Sequence, residues 1–342
     1  MKKFLALFLC FLLIFGVVAE AASQKNTTSK KSTIKSKSNS DIKKIKSLVK
    51  KPVKPNRIKV TNNNTKAQSQ TKQQVKVQSK SSPTSPKFRV IAGTVAIAEI
   101  LERLNVELVG VPSTQYTLPK VLNKVTKIGN PMKPDMEVIK SLKPDVFVSV
   151  DSLEKSLRPA FVENHIPTKF IKLNTLDELK ASILDLGKWL KREHEAKKIV
   201  DDINSRERII LNKVKNKRKP TVMIIFGAPG NFMIATEKSF VGSLAKKLGA
   251  ENIINNSKEA YIPINLEELL TKQPDYILRF THANPDVARR MFEKEFQENK
   301  IWQHFDAVKQ NKVIDLDNIY FGMTANLKSI EALEKLAEIL FR

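Results

Sequence analysis

The sequence contains one cysteine in 342 residues, and that residue, Cys10, lies in an apolar run near the N-terminus. A single thiol cannot form an internal disulfide or the multi-cysteine sites that hold structural zinc. A lipoprotein signal places its cysteine behind small residues at the end of the apolar run. Cys10 lies between Leu9 and Phe11 instead, so acylation is not expected there.

The sequence also lacks the common catalytic signatures. It contains no G-x-S-x-G, no Walker-A glycine loop, no G-x-G-x-x-G and no H-E-x-x-H. It has only four histidines, none with a carboxylate or a second histidine at metal-ligand spacing. We therefore expect no catalytic residues and a protein that is not an enzyme.

Acidic residues are scarce near the N-terminus. Residues 23–87 contain 17 lysines and Arg57 against a single acid, Asp41, so they carry +17 of the total charge of +25. With almost no aromatic residues, this segment cannot bury enough apolar surface to fold. It is predicted to be a disordered tether that favours anionic membrane or cell-wall polymers. A solubilising spacer is the alternative, and nucleic acid is not expected as a partner of an exported protein.

The first 22 residues are typical of an export signal. Lys2 and Lys3 precede the apolar run 4–19, which ends in an A-x-A pattern. We expect cleavage after Ala21, with retention as an uncleaved membrane anchor as the alternative. The chain is then predicted to be exported, at the outer face of the cytoplasmic membrane or in the cell wall.

From Phe88 onward, apolar runs of strand length alternate with segments of helical spacing, and Thr94 is placed to cap the first helix. This alternation predicts parallel, doubly wound sheets. A proline-free stretch over roughly 175–216 is predicted to be helical. The fold class is α/β, with two doubly wound lobes joined by one long helix. The predicted divisions are a signal peptide (1–22), a tether (23–87), an N-terminal lobe (88–192), an interlobe helix (193–218) and a C-terminal lobe (219–342).

The two predicted lobes share a repeated pattern. Glu137 stands eight residues before Asp145, and Glu267 stands eight residues before Asp275. Each aspartate follows a proline and precedes an apolar strand, so the Pro-Asp pair is explained by a helix ending before a strand. Each glutamate lies near the start of its helix, where the helix dipole favours an acid.

One residue in each predicted lobe is able to bind iron. Met132 lies between two prolines in the first half, and His282 directly follows the strand at 274–280. In open α/β sheets, ligands bind just beyond the carboxyl ends of the strands. A thioether and an imidazole together form a known axial pair for haem iron. The alternatives are a gap-filling methionine and an ordinary loop histidine.

From Phe88 to the C-terminus the sequence resembles the haem-binding receptors of the bacterial iron-regulated surface determinant (Isd) system. These belong to the cobalamin and siderophore group of ABC-transporter binding proteins. The resemblance covers about three quarters of the chain, and its motifs occur in order. They are VGVPSTQYTLP (109–119), IGNPMKPDMEVIKSLKPD (128–145), FGAPGNFMIATEKSFVG (226–242), GAENII (249–254), LRFTHANPD (278–286), FQENKIWQHFDAVK (296–309) and YFGMTANL (320–327).

The resemblance implies a class III periplasmic-binding-protein-like fold and a function in haem capture and delivery for iron uptake. It places the axial haem ligands at Met132 and His282 and the permease-docking acids at Glu137 and Glu267. The implied pocket-lining residues are Thr94, Val95, Ser113, Thr114 and Tyr261.

The implied partners are haem, an ABC permease and upstream surface haem-transfer proteins, and the implied source is a Gram-positive bacterium. The chain is expected to be a monomer. Two departures from the family are the missing lipoprotein cysteine and the long basic tether. Between 113 and 116 the polar residues do not match the family one for one. The alternatives are a siderophore or cobalamin receptor of the same fold, or a wall-associated adhesion protein that works through its basic tail. An exported enzyme is the third alternative.

Overall fold

The computed structural model describes residues 88–228, 230–282 and 285–342. The predicted signal peptide and tether lie outside the described residues. The described residues all belong to one compact unit. Among the helices in these ranges, none combines the length and the apolar character needed to cross a bilayer.

The N-terminal half contains a five-stranded parallel sheet in the order β3-β2-β1-β6-β7, and a separate two-stranded hairpin of β4 and β5. Its strands are β1 (Val90–Ala92), β2 (Leu108–Val111), β3 (Thr126–Lys127), β4 (Gly129–Asn130), β5 (Lys133–Pro134), β6 (Val146–Val150) and β7 (Thr168–Ile171). Its helices are α1 (Val95–Arg103), α2 (Met136–Ser141), α3 (Glu154–Glu163) and α4 (Leu176–Trp189), and α5 (Glu193–Val214) follows them.

The C-terminal half contains a six-stranded mixed sheet in the order β11-β9-β8-β12-β13, with β10 paired to the start of β8. Its strands are β8 (Thr221–Ala228), β9 (Asn231–Ala235), β10 (Glu251–Asn252), β11 (Tyr261–Pro263), β12 (Tyr276–Thr281) and β13 (Val313–Asp315). Its helices are α6 (Phe240–Lys247), α7 (Leu266–Leu270), α8 (Pro285–Glu298), α9 (Asp306–Lys309) and α10 (Ser329–Leu340). Short 3-10 turns occupy Lys120–Leu122, Asp151–Leu153 and Lys300–His304.

The predicted doubly wound α/β class is confirmed. Every residue of β6 is buried, and so are all residues of β8 after its first. Strands buried on both faces need helices on both sides, which the alternating helices supply. The predicted cap is also present, because the hydroxyl Oγ1 of Thr94 accepts a hydrogen bond of 3.3 Å from the backbone N–H of Ile97.

The stretch predicted as helical over 175–216 is helical, with one interruption. The segment forms two helices, α4 and α5, separated by a turn in which Lys191 has a φ of 57°. The backbone N–H of Arg192 donates to the carbonyl of Gly187 and closes this turn. A Cβ at Gly187 would lie 2.4 Å from Cβ of Ala196, so glycine is needed for α5 to pack against α4. The proposed lobe boundaries remain a prediction.

The repeated Pro-Asp pattern has a shared structural role. A carboxylate oxygen of Asp145 accepts from the backbone N–H of Arg89, just before β1, at 2.6 Å. In the second half, a carboxylate oxygen of Asp275 accepts from the backbone N–H of Thr221, at the start of β8, at 2.7 Å. Each aspartate thus fixes the entry of the first strand of its own half.

A single apolar cluster runs through both halves. It joins Val90 and Val148 of the first sheet to Leu278 and Phe280 of the second, and it includes Ile203 of α5. Residues that share one close-packed core cannot move independently without opening a cavity. The two sheets are therefore held in one packing arrangement along α5.

Four charged side chains reinforce this arrangement beside the core. Lys180 of α4 contacts Asp177 at 2.8 Å and Glu207 of α5 at 2.7 Å. Lys247 of α6 contacts the same two acids at 2.9 and 2.7 Å. Burial alone would raise the pKa of Asp177, but hydrogen bonds from Lys180 and Lys247 bring it below its ordinary value. This ion-pair square links helices from both halves.

We predict that Glu207→Ala lowers the free energy of unfolding by about 3 kcal/mol, because it leaves two partly buried lysines sharing one acid. Urea denaturation of the purified protein measures this loss. The matched control is Asp201→Ala on the same helix, whose partner Lys197 is exposed. That variant should lose less than about 1 kcal/mol. Equal losses in the two variants would contradict the role given to Glu207.

Candidate functional site

Met132 lies at the tip of the β4–β5 hairpin. The sequence suggested a loop, whereas the structure has a tight turn in which the side-chain carbonyl of Asn130 accepts from the backbone N–H of Met132 at 2.8 Å. The hairpin is tied to the loop after β2 by a 2.8 Å hydrogen bond from the N–H of Ser113 to the carbonyl of Gly129. The backbone of Met132 is thereby fixed, while its side chain is 42% exposed.

His282 directly follows β12, at the carboxyl end of that strand. Its backbone N–H donates to the carbonyl of Gly227 on the neighbouring strand β8 at 3.1 Å. Burial lowers the pKa of the His282 imidazole below its usual value. The neutral form, which is the form that binds a metal, is therefore favoured near pH 7.

Tyr116 links the two halves at this point, and the sequence reasoning missed it. Its ring stacks on the His282 ring with a centroid separation of 6.4 Å and an angle of 19° between the ring planes. The loop that carries it is shaped locally, because Oγ1 of Thr114 accepts from the backbone N–H of Tyr116 at 2.9 Å. The signal that could have found it is an aromatic residue just after the predicted strand 106–112.

Thr94 and Val95 lie at the start of α1, behind β1. Thr94 caps the helix, and no described residue is recorded as accepting a hydrogen bond from the backbone N–H of Val95. The N-terminus of a helix of this length carries a partial positive charge and favours an anion. Ser113 and Thr114 lie on the loop after β2. The backbone N–H of Ser113 donates to Gly129 of the Met132 hairpin, and Oγ1 of Thr114 accepts from the backbone N–H of Tyr116.

Two buried hydroxyl groups have no hydrogen-bond partner among the described residues. One is the phenol of Tyr261 on β11, whose ring lies 5.2 Å from Phe226, and burial raises its pKa. The other is the hydroxyl of Ser149, near the end of β6, which sequence reasoning also missed. Its signal was a serine inside an otherwise apolar strand. An unpartnered buried hydroxyl is costly and often indicates a ligand or ordered water.

The two predicted docking acids lie at equivalent positions in the two halves but differ in surroundings. Glu137 is in the first turn of α2, is 83% exposed, and contacts Lys140 at 2.6 Å. Glu267 is in the first turn of α7 and is also exposed. Among the described residues, no ion pair or hydrogen bond is recorded for the Glu267 carboxylate.

The described structure thus has two α/β halves around a shared core, with polar and aromatic side chains meeting beyond the carboxyl ends of their strands. This is the place where ligands bind in open α/β sheets. The sequence matches the periplasmic binding protein family over residues 90–320. The chain belongs to this family. The predicted class of fold and family is therefore confirmed, whereas the individual site residues remain predictions.

The proteins similar to this chain include a heme uptake protein and an ABC-transporter substrate-binding protein. The high-affinity heme uptake system protein IsdE of Staphylococcus aureus is 38% identical over 77% of this chain and 91% of its own. The crystal structure of S. aureus IsdE complexed with heme covers 75% of this chain and 99% of its own, at 38% identity and a TM-score of 0.72. An ABC-transporter substrate-binding protein from Listeria monocytogenes covers 74% and 98%, at 40% identity and a TM-score of 0.71.

We predict that Tyr116→Ala raises the pKa of His282 towards about 6.5, because it opens the imidazole to water. Titration of the histidine ring protons by NMR measures this pKa, and Tyr116→Phe, which keeps the stacked ring, should leave it unchanged. Since the folded pKa is lowered, the unfolded chain binds this proton more tightly, so stability is lost as the pH falls below about 6.5. An unchanged pKa in Tyr116→Ala would show that the stack does not shield His282.

Proposed function

We propose that this chain is an extracytoplasmic haem receptor that captures haem between its two halves and delivers it to an ABC permease for iron uptake. The observation that carries the proposal is the similarity, over three quarters of the chain, to a receptor solved with heme bound. The chain performs no chemistry on its ligand. Its task is to bind haem and to be recognised by the transporter.

In this proposal Met132 and His282 hold the haem iron from opposite faces, one from each half. The imidazole is suited to this because burial keeps it neutral near pH 7. The thioether is soft and neutral, and the fixed backbone of the hairpin tip leaves only the side chain of Met132 to adjust. Such a pair raises the reduction potential of the iron.

The rest of the site would receive the porphyrin and its propionates. The N-terminus of α1, with Thr94 and Val95, favours the negative charge of a propionate. Ser113, Thr114 and Tyr261 would supply hydroxyl donors. Burial of the porphyrin faces contributes about 25 cal/mol per Å² of apolar surface.

Delivery is proposed to use Glu137 and Glu267, which would pair with arginines on the permease. One acid in each half allows the transporter to span the cleft. Haem would arrive from surface transfer proteins, with the chain at the outer face of the cytoplasmic membrane. The basic tether lies outside the described residues, and its binding to anionic polymers remains a prediction, as does a monomeric state.

We predict that the full chain loaded with haem gives a low-spin, six-coordinate absorption spectrum in both iron oxidation states. Met132→Leu keeps the apolar volume but removes the sulfur, so the spectrum should become five-coordinate. His282→Ala should lose the same signature and weaken haem binding. His304→Ala removes an exposed histidine elsewhere in the fold and serves as the matched control.

Absorption spectra recorded while haem is added also separate the alternatives. Unchanged spectra and haem affinity in both Met132→Leu and His282→Ala would contradict the ligand assignment. A chain that ignores haem but binds a ferric siderophore or cobalamin would belong to the rival receptor class. Binding of anionic polymer by the full chain, with no small ligand bound, would favour the adhesion alternative.

We predict that the double variant Glu137→Ala, Glu267→Ala abolishes permease-dependent haem uptake and leaves haem affinity unchanged. Both acids are exposed at helix starts, so their loss removes a contact with the partner rather than a part of the fold. Uptake of labelled haem by proteoliposomes that contain the permease measures delivery. A fall in haem affinity in this variant would contradict the docking role.

A further inference from the structure

A groove of about 620 Å³ opens beside Glu267 in the C-terminal half. Its walls come from the start of β9, from the connection between β11 and α7, and from α8 with the 3-10 turn after it. The apolar walls include Phe232, Leu266 and Met291, all half-buried, above the fully buried indole of Trp302. The groove therefore has apolar walls, and the buried side chain of Trp302 lies at its base.

The only charged side chains that line this groove are acids. Glu267 lies at its edge and Glu295 deeper inside, and none of the described lining residues is a lysine, arginine or histidine. This contrasts with the rest of the folded part, because residues 88–342 carry a net charge of +7. An apolar groove with acidic walls in a basic protein is complementary to an apolar segment that carries a positive charge.

The carboxylate of Glu295 is held in place for such a partner. Its Oε1 accepts from the indole N–H of Trp302 at 3.1 Å and from the side-chain amide of Asn299 at 2.9 Å. No hydrogen bond from a described residue to its other oxygen is recorded, which leaves an acceptor for an incoming donor. A fixed carboxylate in a half-buried position binds a guanidinium more strongly than a mobile surface acid does.

The other docking acid has different surroundings. Glu137 is paired with Lys140 at 2.6 Å. An arginine that approaches Glu137 must therefore compete with an existing cation. Glu267 has no ion pair with another described residue and lies beside an apolar groove, so we expect the two halves to contribute unequally to docking.

We propose that this groove takes a loop of the ABC permease that presents an arginine beside an apolar side chain. The arginine lies between Glu267 and Glu295, and the apolar side chain fills the space over Trp302. This proposal rests on the proposed function, in which Glu267 docks the permease. It makes the C-terminal half the main anchor and gives Glu137 the smaller role of fixing orientation.

The test measures the affinity of the haem-loaded full chain for its cognate permease in lipid nanodiscs by surface plasmon resonance. Met291→Lys puts a cation into the groove, and we expect it to weaken binding by about tenfold or more. Met291→Leu keeps the apolar wall and should bind within about twofold of the wild type. Ile209→Lys adds the same charge on an exposed face of α5 and should also leave binding unchanged.

A second variant keeps the test independent of folding. Glu295→Gln retains an acceptor for Trp302 but removes the charge, so it should weaken permease binding while the thermal midpoint stays close to that of the wild type. The haem absorption spectrum is recorded for every variant. A wild-type chain that shows no haem spectrum would contradict the proposed function and would say nothing about the groove.

The outcomes distinguish the groove from the docking acid alone and from self-association of the chain. Wild-type affinity in both Met291→Lys and Glu295→Gln, with weak binding in Glu267→Ala, would overturn the groove and leave the docking acid in place. Wild-type affinity in all three would overturn docking by this half. A dimer in sedimentation experiments that Met291→Lys abolishes would show that a second copy of the chain occupies the groove, and this would also overturn the proposal.

Discussion

The structure depends on the apolar core that α5 shares with both sheets. Val148 and Leu278 belong to one cluster that includes Ile203, so one face of each sheet packs into a core that both halves share. The opposite faces of the two sheets carry separate apolar clusters. The ion-pair square of Asp177, Lys180, Glu207 and Lys247 lies on the same helices and binds charges of both halves to each other. Large rotation of one half would have to open this core and part these charges. The Met132 hairpin and His282 are therefore attached to two sheets that share one core.

This rigidity explains how a site can be shared between halves. His282 ends a buried strand of one sheet, and the Met132 hairpin is tied to the loop after β2 of the other. The stack of Tyr116 on His282 crosses between the halves without any covalent or metal link. An aromatic pair of this kind contributes about 1 kcal/mol, far less than the shared core. The shared core, and not this stack, is therefore the main link between the halves.

Features set by local sequence were predictable, and features set by distant contacts were not. The cap at Thr94 and the strands that follow each Pro-Asp pair depend on residues a few positions apart, and the structure has them where they were expected. The break between α4 and α5 depends on Lys191 adopting a positive φ so that Ala196 can pack on Gly187. Nothing in the local pattern required that turn. The Tyr116–His282 stack joins residues far apart in the chain, so no periodicity could indicate it. For the site, the sequence supplied candidate residues, but not their exposure, partners or protonation.

The internal repeat divides into a structural part and a part that the fold leaves unexplained. Asp145 and Asp275 each accept a hydrogen bond from the backbone N–H at the start of the first strand of their own half. This hydrogen bond accounts for the aspartate in both copies of the repeat. The preceding Lys143 and Gln273 share a positive φ for the same reason, because each chain must turn sharply before its proline. The repeated glutamates do not take part in these bonds. Glu137 and Glu267 lie exposed at the helix starts, where dipole stabilisation is worth less than about 1 kcal/mol. A fold that needs its aspartates but not its glutamates leaves the glutamates available to a partner. The difference in their surroundings then indicates that the two halves offer that partner unequal contacts.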